Sequence, residues 1–113
     1  MKRDELVYLK HILDAISEIE KYIQGVNHEK FLADSMIQNA IIRQIEIIGE
    51  ATRRLSAEFR QKYKDVPWKE ITGMRDKLIH DYFGVDLEAV WDTATKDISV
   101  LKDEVQSILE QEE

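Results

Sequence analysis

The chain has 113 residues, 35% of them charged and 43% hydrophobic, with four glycines, one proline and no cysteine. That length suits a single domain over residues 1–113 with a real core, and the absence of thiols excludes a disulfide framework or a thiolate metal site. A formal net charge of −7 argues against generic, charge-driven binding to nucleic acid, which rests on neutralising phosphates with Lys and Arg.

The charge is unevenly spread. Residues 53–80 hold eight basic and four acidic side chains, whereas residues 81–113 hold two and ten. The opening "MKRDELVYLKHILD" interrupts its apolar residues with charges, unlike a signal peptide, and no apolar run approaches the ~18 residues of a spanning helix. A cytoplasmic protein is expected, with no metal or other cofactor.

From Asp4 to Tyr22 the apolar positions Leu6, Leu9, Ile12, Leu13, Ile16 and Ile19 recur at three and four, the period of one helical face. Gly25 and Asn27 supply a stop and a turn, and "NHEKFLAD" reads as a short connection that tucks Phe31 and Leu32 against the bundle. A second long helix starts at Asp34 or Ser35. Met36, Ala40, Ile41, Ile45, Ile48, Ala51 and Leu55 keep its period, and Ile37, Ile42 and Ile47 widen the stripe enough for contact on two sides.

"SAEFRQKY" predicts a short helix after Ser56. Pro67 starts another, because its fixed φ suits a first helical turn, and Gly84 closes it. Asp86 is a candidate N-cap for a last helix in which Leu87, Trp91, Ala94, Ile98, Leu101, Val105 and Ile108 face the core. No segment alternates as a half-buried strand would. The expected fold is all-α, an up-and-down bundle of about four main helices plus a short one.

Within "MRDKLIHDYFG", Arg75, His80 and Tyr82 occupy positions that Lys, Glu or Gln would fill as easier helix formers. Histidine exchanges protons near neutral pH, and the arginine fork grips phosphate. Together they suit RNA phosphodiester cleavage, in which a base activates the 2'-hydroxyl, an acid protonates the leaving 5'-oxygen and a cation stabilises the charge on phosphorus. Asp76 is placed to orient one of these groups or water.

On a continuous helix at ~100° per residue, Arg75 and His80 lie about 140° apart. Local unwinding, or a second copy across a two-fold axis, brings such groups together. The bland alternative stays open at this point: His80 capping carbonyls at a helix end, Tyr82 at a core edge and Arg75 paired with Glu70 or Asp76. His11, in a charged helix face, and His28, in a loop, receive no role.

The pattern R-D-x-x-x-H-x-Y at Arg75, Asp76, His80 and Tyr82, preceded by "VPWKEITGM" and followed by "FGVD", resembles the HepT-like branch of the HEPN superfamily. The resemblance extends to "AIIRQIEIIGEA" and the closing acidic helix. It implies a small helical bundle that forms a homodimer, paired with a minimal nucleotidyltransferase antitoxin in a toxin–antitoxin system. It further implies a metal-independent ribonuclease site in the dimer cleft. Arg75 would stabilise the scissile phosphate, His80 would act as general acid or base, Asp76 would fill the polar position after the arginine, and Tyr82 would accept AMP from the partner. The rival expectation is a non-catalytic module that binds a nucleotide or the nucleotidyltransferase through the same cluster, since gripping and cleaving a phosphate use the same residue types.

Overall fold

Helix α1 (Arg3–Ile23) opens with Asp4 and Glu5 in its first turn and ends with Lys21 in its last, as the helix dipole favours. In this computed structural model, which describes residues 2–80 and 84–112, its apolar stripe buries Leu9, Ile12, Ile16 and Ile19 completely. Gly25, at φ +73°, turns the chain in a backbone region that favours glycine.

The stretch expected to be a connection contains a helix of its own, α2 (His28–Ala33), capped by the Asn27 side chain, which accepts from the Lys30 N–H at 2.8 Å. Phe31 is fully buried as expected, but Leu32 is exposed. His28 also has a structural place. Its Nε2 lies 2.8 Å from a Glu88 carboxylate oxygen, and its ring packs against Trp91.

Asp34 caps α3 (Ser35–Arg54) by accepting from the Met36 and Ile37 N–H groups. Ile41, Ile42, Ile45, Ile48 and Ala51 are buried, with α1 as the principal partner. Met36 departs from the expected stripe: it is 81% exposed. Together with half-buried Ala40 and Ile47 it lies on a second, outward face of α3.

Ser56 caps α4 (Ala57–Lys62) by accepting from the Phe59 N–H. The buried Glu5 carboxylate, an exception in α1, accepts from the Ser56 N–H at 3.2 Å and so ties α1 to the start of α4.

The expected helix from Pro67 to Gly84 is not continuous. It divides into α5 (Trp68–Thr72) and α6 (Met74–Leu78), because Gly73 breaks the run and bonds its N–H back to Lys69. A two-residue antiparallel ladder follows, β1 (Ile79–His80) with β2 (Gly84–Val85), pairing Ile79 with Val85 and His80 with Gly84. The Leu78 carbonyl, which a longer helix would use for the N–H four residues on, accepts instead from Asp86 at 2.8 Å. Gly84 therefore sits in a hairpin at φ +80° rather than ending a helix.

Asp86 caps α7 (Leu87–Asp92) by accepting from the Ala89 N–H, as expected. The rod then passes through a π-helical turn (Thr93–Asp97) into α8 (Ile98–Glu112). Thr95 Oγ1 donates to the Trp91 carbonyl within this bulge. The architecture is an all-α bundle in which α1, α3 and the α7–α8 rod enclose the core, while α5 and α6 pack against α3.

Candidate active site

Short helices such as α5 and α6 hold their shape through packing rather than propensity, so their support positions everything they carry. Gly49 on α3 provides the floor: a Cβ there would meet the Ile71 carbonyl oxygen at 3.5 Å and that of Thr72 at 3.6 Å. Trp68, 6% exposed, donates its indole N–H to the Tyr63 carbonyl at 2.9 Å and fixes α5 to the end of α4. Arg53 reaches from the last turn of α3 to the Thr72 carbonyl at 3.2 Å. Leu78 anchors the end of α6 in the core.

On this platform Arg75 and Asp76 fall on α6, with Asp76 exposed, and His80 falls on β1. The helix that carries Arg75 ends at Leu78, so Arg75 and His80 do not share one continuous helix. The side chains of Arg75 and His80 lie outside the described part of the structure, as does the whole of Tyr82.

Beside the segment, a cleft of about 440 Å³ separates α5 and α6 from the π-turn and α8. Glu70, Met74, Lys77, Asp97 and Glu104 are among its lining residues. Burial pushes the Glu104 carboxyl up from its ordinary value. Among the described residues, no group of three His, Asp or Glu side chains is arranged to hold a metal ion, and no helix is long and apolar enough to cross a membrane.

A helical bundle that presents an Arg-x-x-x-x-His segment over the junction of a one-turn helix and a hairpin is a specific combination. The chain matches the family model described as ribonuclease HepT-like over residues 12–108. It is 47% identical over 105 residues to a Caldanaerobacter subterraneus protein named "Putative RNase", covering 93% of this chain and 94% of that one. Identity to the "Probable ribonuclease HepT" of Thermococcus cleftensis is 43% over 108 residues, 96% of this chain and 98% of the relative.

A Methanocaldococcus jannaschii protein named for both a gamma-glutamylcyclotransferase and a "putative RNase" is 48% identical over 111 residues, 98% of this chain but only half of that longer protein. No solved structure matches the chain significantly. The chain belongs to the ribonuclease HepT-like family.

Proposed function

We propose that this chain is a metal-independent RNA endonuclease that works as a homodimer, with Arg75 and His80 as its catalytic residues. The observation that carries the reading is the family match over residues 12–108, which encloses the whole Arg75–Tyr82 motif. In the proposed reaction the 2'-oxygen attacks phosphorus and the bond to the 5'-oxygen breaks. This leaves a 2',3'-cyclic phosphate and a 5'-hydroxyl. A base takes the 2'-proton and an acid returns one to the 5'-oxygen. His80 from each of two chains divides these roles, and Arg75 stabilises the charge on the phosphoryl oxygens.

The dimer is supported by the outward face of α3, where exposed Met36 continues into half-buried Ala40 and Ile47. The same reading places the chain as the toxin of a pair whose partner, a minimal nucleotidyltransferase, attaches AMP to Tyr82. The added phosphate and adenosine would occupy the space that an RNA phosphate needs, so inhibition requires no conformational switch.

The test is cleavage of a labelled RNA by the purified chain, with and without EDTA. Expected are cyclic-phosphate ends, activity unaffected by EDTA, and loss of cleavage in His80→Ala and in Arg75→Ala while the melting temperature stays near wild type. Wild-type activity in both variants, or inhibition by EDTA, would overturn the mechanism.

A further inference from the structure

A second cleft, of about 570 Å³, lies between α4 and α5. Its lining is net basic in a chain of net charge −7: Arg60, Lys64 and Lys69 face it together with a single carboxylate, Glu70. The cleft beside α8 has the opposite balance, with Glu70, Asp97 and Glu104 against Lys77.

Many of the basic side chains of this protein are already paired. Lys21, Arg53, Arg54, Lys62, Lys96 and Lys102 are all held by carboxylates. Among the described residues Arg60, Lys64 and Lys69 have no ion pair. In addition, the Arg60 Nε is buried without a hydrogen-bond partner.

The walls of this cleft are built rather than incidental. Buried Trp68 donates to the carbonyls of both Arg60 and Tyr63, which locks the end of α4 to the start of α5. Phe59 packs between Trp68 and Tyr63 from below. The three cations are therefore presented by a fixed corner.

Thr72 also lines the cleft. Three residues on from it comes Arg75, a Cα separation of at most about 11 Å. A strand gripped here is thus within a few nucleotides of the α6 segment.

We propose that the α4–α5 corner is a binding site for the sugar–phosphate backbone of single-stranded RNA, with Arg60, Lys64 and Lys69 each taking a phosphate. The site rests on the ribonuclease reading above and supplies what the acidic chain otherwise lacks, a local cationic track leading to the place of cleavage. Arg60 offers a planar fork to one phosphate, while the exposed lysines act as mobile point charges on its neighbours.

The experiment measures binding of a fluorescein-labelled single-stranded RNA by anisotropy across a salt series. It compares the full chain, the triple variant Arg60→Gln/Lys64→Gln/Lys69→Gln, and the charge-matched control Lys10→Gln/Lys21→Gln/Lys96→Gln. Each phosphate contact to a single strand contributes roughly 0.7 to the slope of log affinity against log salt. The triple variant should therefore bind with a slope smaller by about 2 and with affinity at least tenfold weaker at low salt, whereas the control should keep the wild-type slope.

An unchanged slope in the triple variant, or an equal loss in the control, overturns the corner as the binding site. If RNA is bound and cut normally under either of those outcomes, the ribonuclease reading survives. Failure of the unmodified chain to bind or cut RNA removes both. A single Lys64→Gln, at an exposed position, should lower the slope by about 0.7 and guards against misfolding of the triple variant.

Discussion

Replacing Gly49 by alanine tests how closely α5 rides on α3. In a helix interior alanine is favoured over glycine by about 1 kcal/mol, and the new Cβ would stand 3.5 Å from the Ile71 oxygen and 3.6 Å from that of Thr72, ordinary van der Waals distances. Nothing needs to move, so the propensity gain should be kept. With an unfolding entropy of about 2.1 cal/mol/K per residue, 1 kcal/mol corresponds to a rise in Tm of roughly 4 °C for a chain of this length.

Valine should reverse the sign. Its γ carbons project a further ~1.5 Å, into space held by two backbone carbonyls, and overpacking of this kind costs about 1–3 kcal/mol. Because α5 leads directly into α6, the displacement should also reduce RNA cleavage. Thermal melts followed by circular dichroism, with cleavage rates measured alongside, provide the assay. An alanine variant that melts several degrees below wild type, or a valine variant as stable and active as the alanine one, would refute the close approach.

Three further outcomes are expected. Glu112 accepts from Lys62 at 2.8 Å and from the Tyr63 hydroxyl at 2.6 Å; the bonds from Lys62 and Tyr63 hold its carboxyl below the usual range, and that to Glu112 holds the Lys62 amine above its own. The tie is therefore complete above ordinary glutamate titration near ~4.3 and lost on acidification, so the Tm difference between wild type and Glu112→Gln should be present at neutral pH and vanish in acid; a difference that persists there contradicts the assignment. Met36→Asp should leave the Tm of the monomer fold nearly unchanged, since the side chain is 81% exposed, yet shift the mass seen by light scattering from dimer to monomer; a dimer that survives excludes this face of α3. Co-expression with a minimal nucleotidyltransferase of the proposed kind should add AMP to the wild-type chain and none to Tyr82→Phe, read by intact mass, and full neutralisation of an unmodified chain would show that such a partner acts by binding.

The long helices were legible in the sequence because their stability comes from a face that repeats at the helical period. Leu9, Ile12, Ile16 and Ile19 in α1, and Ile41, Ile45 and Ile48 in α3, are buried where their spacing placed them. Local chemistry also marked the cap at Asp86 and narrowed that of α3 to Asp34 or Ser35, of which Asp34 caps, since a short polar side chain meets the N–H groups two or three residues ahead. The R-D-x-x-x-H-x-Y motif, too, stands in the sequence alone.

What the chain does between Pro67 and Asp86 was decided by tertiary structure. Periodicity allows one helix there, but Gly73 lets the run break, Leu78 anchors in the core, and the Asp86 N–H captures a carbonyl that a longer helix would have used. That competition cannot be read from local propensity. The same holds for Met36, whose position fits the stripe but whose side chain is left exposed, and for Glu5, a carboxylate buried by a bond to a residue 51 positions away. The cationic corner left only a charge imbalance over residues 53–80 as its signal. Folding alone brought Arg60, Lys64 and Lys69 around one cleft, because it depends on the angle at which Trp68 locks α4 against α5.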